Sequence, residues 1–539
     1  MSEQISAGTN TPQPPQQVRW AKVIDQTRCI GCHACTTACK SENVVPLGVT
    51  RTYVKHVDVG VFPQARRAHQ VTRCNQCADA PCVTACPTSA MFKRSDGIVD
   101  FDKSICIGCK ACMAACPYDA IFINPEDHSA EKCNFCAHRI DMGLEPACVV
   151  VCPVEAILIG DLNDTGSKVA RIVNREAVNV RRPEKETHPK LFYKGAHQAT
   201  LDPLAARRPD GGLFMWSEQA KGNDVVNSGH PGYNNSSAAA LLSYDVAHSI
   251  PWDWRVSLYT WTKSIAAGVY LVAALLIIFA WASGQLTQTD GATTATNIAT
   301  NIAGVALLGD LWLWVVPVLS GVFLAVTGAL LIWDLEHPER FYMIFTRPQW
   351  RSWLVKGAFV IAGYTVVLGL HFLAALLGKP AWTLPLVVAG LPLAAMTAVY
   401  TAYLFAQAKA RDLWQNPLLA PHLFVQATLA GSAALLPFAY FYAEPAVAPL
   451  AWALAASCLL HLLLVWGETT LTHPTAHARL AAHEMTRGRY SAYFRAGLAL
   501  VLLGMLAPYV ELAAVPLALT GLLLHEHAYV QAGQSVPLA

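Results

Sequence analysis

Charge is scarce in this chain: Asp, Glu, Lys and Arg together make up only 14% of its 539 residues, against about a quarter in ordinary soluble domains. The net charge is +2 and no basic stretch is interleaved with aromatic residues, which sets nucleic acid aside as a partner. No long apolar run precedes Arg255. After Cys152 only one cysteine, Cys458, remains. The first residues, MSEQISAGTNTPQPPQQVRW, lack both an apolar core and a twin arginine, so neither kind of export signal is expected. Their Pro/Gln/Thr composition predicts a disordered lead-in over residues 1–19.

What the chain does hold is split in two. Sixteen cysteines stand between Cys29 and Cys152 in four groups of four: Cys29, Cys32, Cys35, Cys39; Cys74, Cys77, Cys82, Cys86; Cys106, Cys109, Cys112, Cys116; and Cys133, Cys136, Cys148, Cys152. The first and third groups have the C-x2-C-x2-C-x3-C spacing that wraps three thiolates around one iron–sulfur cube and sends the fourth to another. The second and fourth groups widen the middle gap. Pro87, Pro117 and Pro153 follow their final cysteines, while Lys40 takes that place in the first group. A disulfide framework would suit a small secreted domain, and tetrahedral zinc fits a triplet plus one poorly. Four 4Fe-4S clusters are expected, with no sign of a 3Fe-4S replacement. RCIGCHACTTAC and ICIGCKACMAACP nearly superimpose, which predicts an internal duplication, with short strands such as 98–101 and 120–123 beside the loops. His33, inside the first loop, is a surface residue or tunes a potential.

From Arg255 the chain reads as membrane, where a helix needs about 20 apolar residues to cross. Eight segments qualify: 256–282, 309–333, 353–377, 381–408, 421–443, 446–467, 492–510 and 512–530. Trp252, Trp254, Trp312, Trp314, Trp350 and Trp353 fall near their ends, as an interfacial belt requires. Eight crossings return the chain to its starting side. Loops on that side carry Arg340, Arg347, Arg351, Lys409, Arg411, Arg479, Arg487 and Arg489, the others Lys379 alone. The positive-inside rule then faces the cluster domain to the cytoplasm from an inner membrane.

Ionisable residues inside a membrane are costly and usually line a cavity or pathway. Tyr259, Lys263, Asp334, Tyr400, Tyr403, Glu468, His525 and Glu526 all fall in the half nearest the clusters. Two-electron, two-proton quinone chemistry needs hydrogen-bond partners, acid/base groups and a nearby cluster. Lys263 with Tyr259 or Tyr403 is expected at the headgroup, Tyr400 beside them, and Asp334, Glu468 and His525 in proton exchange. Lys263 could instead snorkel to the interface, and Asp334 could cap a loop by pairing with Arg340. A haem would want facing histidines deep in two helices, for which only His371 and His461 are placed, so none is expected. His371 with Tyr364 could start a path to the far face. Cys458 reads as a small packing residue.

Two resemblances carry the reading further. The four cysteine groups, over residues 20–200, resemble the four-cluster iron–sulfur subunits of membrane-bound molybdopterin oxidoreductases such as dimethyl sulfoxide and polysulfide reductases. That resemblance implies the ligand sets Cys29/32/35 with Cys152, Cys133/136/148 with Cys39, Cys74/77/82 with Cys116, and Cys106/109/112 with Cys86. YTWTKSIAAG, DLEHPERFYMIFTRP, YTAYLFAQAKARDLWQNP and AGQSVPL resemble the polysulfide-reductase or NrfD-type membrane subunit, which implies quinone binding near the cluster face without haem.

The expected architecture is an α+β duplicated bacterial-ferredoxin domain (20–160), a polar extension and tether (161–250) and an all-α polytopic domain of eight transmembrane helices (251–539). The function implied is electron transfer between a separate molybdopterin-containing catalytic subunit and menaquinone or ubiquinone, with sulfite or another sulfur compound as the linked substrate. Two rivals stand beside it: a redox-driven ion-translocating module, and a stand-alone ferredoxin:quinone oxidoreductase.

Overall fold

A computed structural model describes residues 18–207, 239–282, 308–379 and 382–539. The lead-in expected over residues 1–19 lies outside these save for its last two residues, as does the middle of the expected tether. In the cluster half, the turns that hold the cysteines are visible in the backbone. Gly31 and His33 take φ of +70° and +59°, and Gly108 and Lys110 repeat them at +67° and +60°. CIGCH and CIGCK therefore wind the same way, which is the duplication expressed as geometry. Glycine is needed there, because positive φ disfavours a side chain and a Cβ on Gly108 would come within 2.9 Å of the Glu336 backbone.

Short helices follow each turn: Ala34–Glu42, Pro81–Ala85, Ala111–Ala115 and Ala147–Val150. The first packs on the fourth and the second on the third. Around them, Trp20–Asp25 pairs antiparallel with Ile157–Asp161 and parallel with Leu191–Lys194, whose other side takes Val178–Asn179. Thr52–Val59 lies between Arg66–Arg73 and Ala240–Tyr244. Two small hairpins, Met91–Lys93 with Val99–Phe101 and Ile121–Ile123 with Ala130–Lys132, support the second and third loops. Residues beyond 160, expected as an extension, thus supply strands to both larger sheets.

The other half is a bundle. Seven helices among the described residues are long and apolar enough to cross a membrane. In chain order the membrane helices are Trp254–Ala282, Val316–Trp333 (entered through a π-turn at Leu311–Val315), Trp353–Leu376, Thr383–Gln407, Leu419–Tyr442, Val447–Thr470, Ser491–Gly504 and Ala514–Gln534. The seventh has 14 residues and is continued by Ala507–Val510. The first helix is central and packs on the second, fourth, fifth and eighth. Small residues permit this: a Cβ on Gly268 would lie 2.8 Å from the Gly431 nitrogen, so the first and fifth helices meet backbone to backbone, as membrane helices do in the absence of a hydrophobic drive between them. The end of the eighth helix returns to the start of the first, where Gln534 Oε1 accepts from the Trp252 amide at 3.2 Å.

The halves are joined at the third cysteine loop. Glu336 and His337 amides donate to the carbonyls of Gly108 and Ile107, and the Gln349 amide to that of Pro87. Arg340 reaches the carbonyls of Lys103 and Cys106 at 3.0 Å each, and Lys110 pairs with Glu336 at 2.9 Å. Trp252 belongs to this joint and not to an interfacial belt, since its Nε1 donates to the Cys109 carbonyl at 3.2 Å. Trp312 is also withdrawn from the belt, buried against His371. Hydropathy marks where a helix ends but not which way its rings face.

Candidate functional site: cysteine cradles and a membrane cavity

None of the sixteen cysteines is paired in a disulfide, and neighbouring sulfurs repel one another, mostly within four groups, with Cys148 acting on Cys35 and Cys82 on Cys112 across them. Cys29 feels Cys152 and Cys32; Cys39 feels Cys133, Cys148 and Cys136; Cys82 feels Cys74, Cys116 and Cys77; Cys112 feels Cys109, Cys106 and Cys86. Burial, with this repulsion added, pushes Cys35 to about 11, and Cys39 and Cys77 to about 12. Thiols held so close call for cations between them. Cys86, Cys106, Cys109 and Cys112 line one cavity, and Cys29, Cys32, Cys35 and Cys152 line another. Main-chain amides point at sulfur from Met91 to Cys86 (3.3 Å), Ala130 to Cys106 (3.4 Å) and Ala156 to Cys152 (3.2 Å). The donor set fits cubane iron–sulfur clusters, which carry single electrons at potentials set by such hydrogen bonds and by nearby charge.

Charge differs among the cradles. Burial raises Cys148, but Arg73, 2.9 Å from its sulfur, and Lys22 more than offset that and bring it to about 7. His33 is partly buried among His56, 3.2 Å between ring nitrogens, and Tyr244.

The cradle of Cys86, Cys106, Cys109 and Cys112 abuts the membrane half. From the Cys109 carbonyl, Trp252 leads inward and stacks on Phe405 at 5.9 Å and Trp414 at 5.6 Å. Phe405 forms one wall of a narrow cleft lined also by Thr260, His422, Gln426, His525, Glu526 and Tyr529. Thr260 hydrogen-bonds Glu526 at 3.1 Å. One turn along the first helix, Lys263 is fully buried rather than snorkelling. It donates to the Ala398 carbonyl and the Thr401 hydroxyl at 2.8 Å each, lies over the Tyr400 ring and interacts electrostatically with Glu526.

The structure therefore brings Lys263, Tyr400 and Glu526 together, with Tyr259 buried one turn before Lys263 and close to Tyr400 and Thr401. Tyr403 stands apart, 39% exposed and stacked on Trp353. Asp334 sits at the joint between the halves, 3.6 Å from both Lys110 and Arg255, and Arg340 is engaged elsewhere. Burial pushes its carboxyl up to about 6 against the pull of Lys110 and Arg255. Glu468 and His525 gather around His422 and His461. His371, against Trp312 and Tyr270, does not face His461. His422, Gln426, Thr260, Thr401 and Phe405 are the residues that sequence reasoning missed. The signal available was His422 and Gln426, four apart on one face of an apolar helix.

Cubane cradles joined by an aromatic contact to a cleft inside a helical bundle define a membrane-anchored electron-transfer protein. Residues 243–520 match the family described as Polysulphide reductase, NrfD; residues 68–162 match a 4Fe-4S dicluster domain and 20–41 a 4Fe-4S binding domain. This protein belongs to the NrfD polysulphide reductase family, with a ferredoxin-type iron–sulfur subunit fused ahead of it. It is 42% identical over 178 residues to the NrfC homolog of Haemophilus influenzae, covering 32% of this sequence and 79% of that one. It is 39% identical over 178 residues to protein NrfC of Escherichia coli (32% and 80%). With the arsenate respiratory reductase iron-sulfur subunit ArrB of a Shewanella species it shares 36% over 224 residues (33% and 96%).

Proposed function

We infer that the chain passes electrons through four 4Fe-4S clusters between a separate, molybdopterin-bearing catalytic subunit that acts on a sulfur compound and a membrane quinone. The observation that carries this reading is the contact from the Cys109 carbonyl through Trp252 to Phe405, which leads from a cysteine cradle to the wall of the cleft. The ligand sets are Cys29/32/35/152, Cys39/133/136/148, Cys74/77/82/116 and Cys86/106/109/112, with the last nearest the membrane. The cluster-bearing unit runs through Tyr244, because the strand Ala240–Tyr244 completes one of its sheets. Menaquinone or ubiquinone is the substrate of the cleft. Glu526 exchanges the protons there, Thr260 orients its carboxylate, and Lys263 holds a compensating positive charge behind it.

The test uses the purified full chain with its clusters reduced, mixed with a short-chain quinone. Rapid reoxidation of the clusters, seen as recovery of their visible absorption, is expected. Glu526→Gln should slow it at least a hundredfold, in the range for loss of an acid/base group, and leave the cluster EPR signals unchanged. Lys263→Ala should slow it less. Unchanged rates in both variants would remove the cleft from the reaction. Co-purification with a large molybdenum-bearing subunit separates this reading from a stand-alone ferredoxin:quinone oxidoreductase. An ion-translocating module would use buried carboxylates midway in several helices; among the described residues Glu468 and Glu526 are buried within membrane helices, near the cluster side.

The cluster half faces the cytoplasm in this reading. Arg347, Arg351, Lys409, Arg479, Arg487 and Arg489 lie on its side of the bundle, although Arg340 and Arg411 dock main-chain carbonyls. A membrane-impermeant thiol reagent applied from the periplasm should label Lys379→Cys and spare Arg479→Cys. The reverse pattern would invert the orientation.

A further inference from the structure

Three imidazoles meet inside the membrane half, each from a different helix: His422 from the fifth, His461 from the sixth and His525 from the eighth. All three are at most 1% exposed, and one ring nitrogen of each lies within 4.8 Å of those of the other two. A neutral imidazole has one donor and one acceptor, and inside a bilayer each should find a partner. A hydrogen-bonded chain accounts for only part of this group. His422 Nε2 is 2.9 Å from His461 Nδ1, yet His461 Nε2 and His525 Nδ1 are buried with no hydrogen-bond partner among the described residues.

Glu468 explains the orientation of the first ring. Its Oε1 accepts from His422 Nδ1 at 3.0 Å and from Asn416 Nδ2 at 2.9 Å. The His422 proton is thereby fixed on Nδ1, and the Nε2 lone pair faces His461 Nδ1 at 2.9 Å, with Gln426 Nε2 3.4 Å away. A carboxylate behind a histidine in this way is the usual support of a metal ligand.

We propose that His422, His461 and His525 bind one divalent transition cation of the zinc class, with Glu468 as a positioning residue. With bonds of 2.0–2.1 Å, ligand nitrogens of a tetrahedral site stand about 3.3 Å apart, between the closest contact here, 2.9 Å, and the 4.8 Å bound. Neutral imidazoles suit zinc over magnesium or calcium, and Glu468 supplies part of the countercharge. His422 and His525 also line the cleft, so the fourth position opens toward it, the pattern of three protein ligands and one open site. The proposal does not depend on what occupies the cleft.

The purified full chain with intact clusters is incubated with zinc and desalted, then examined by elemental analysis and by absorption at the zinc K-edge, which iron does not obscure. About one zinc per chain is expected, bound by three imidazoles at 2.0–2.1 Å. His461→Gln should lower retained zinc at least tenfold with iron content unchanged, and Glu468→Gln should weaken affinity ten- to a hundredfold. Equal retention by His461→Gln, an edge spectrum dominated by sulfur, or no zinc on the parent protein would each overturn the site. If His461→Gln yields no folded protein, the spectrum of the parent protein decides.

Discussion

Each half of the molecule buries cations, and they are balanced in opposite ways. In the cluster half Lys22, Arg73 and Lys132 are almost wholly withdrawn from solvent, with thiols close by: Arg73 and Lys22 face Cys148, and Lys132 acts on Cys82. In the membrane half Lys263 is held by a helix carbonyl and a threonine and lies over the Tyr400 ring, with Glu526 acting on it at longer range. The cysteine cradles need cations even before metal arrives, whereas the bundle admits one only where it can be useful. Buried charge is costly unless paired or hydrogen-bonded, so each position points to the negative charge it serves.

The halves also differ in what holds them together, and this gives the largest expected effect. The bundle depends on backbone approach at Gly268 and Gly431. Gly268→Leu should abolish a monodisperse detergent-purified protein, since there is nowhere for the side chain to go and overpacking costs about 3 kcal/mol or more. Gly369→Leu, a position where an added Cβ meets nothing within 4 Å, should purify as the parent does. Equal behaviour of the two would break the comparison.

That difference also decides what could be read from the sequence. The first three cysteine loops were legible because each lies within 11 to 13 residues, and Gly31 and Gly108 mark the turns of the first and third; the fourth spans 20, from Cys133 to Cys152. The membrane helices were legible as apolar lengths. Their chemistry was not: His422 lies 39 residues from His461, and nothing local says that those two helices face each other. Trp252 and Trp312 misled for the same reason, because position along a helix does not give direction around it. Asp334, which the sequence offers either for proton exchange or as a loop cap with Arg340, lies 3.6 Å from Lys110 of a cysteine loop instead of beside Arg340.

A smaller effect tests the joint between the halves. His248, just ahead of the first membrane helix, lies 2.6 Å from Asp119 and 3.1 Å from Asp245. Burial opposes its charge, but the two carboxylates carry it up to about 9. Because the folded value exceeds the unfolded 6.5, the contact's contribution is complete below pH 6.5 and is lost as pH rises through about 9. Its size is on the order of 3 kcal/mol. Amide protection over residues 240–250, corrected for the base-catalysed rise of intrinsic exchange with pH, should fall between pH 8 and 10, and in His248→Gln it should be low throughout. A flat profile in the parent protein would remove the charged contact from the joint.

The smallest effect bears directly on the buried cations. If Arg73 balances thiolates, then Arg73→Gln should leave the cysteines able to hold their clusters but make the cluster bound through Cys148, for which we propose Cys39, Cys133 and Cys136 as the other ligands, the most affected and harder to reduce. One charge lost a few ångströms away at an effective dielectric of about 20 is worth several kcal/mol before relaxation, so a downward shift on the order of 100 mV is expected in a potentiometric EPR titration. The cluster held by the Cys29 loop should shift the same way by less, because Arg73 also acts on Cys35, and the other two should move little. Glutamine keeps a donor near Cys148 while removing the charge, so a potential unchanged in this variant would assign Arg73 to hydrogen bonding alone. The parallel between its guanidinium and the ammonium of Lys263, each placed where negative charge arrives, would then hold only for the membrane half.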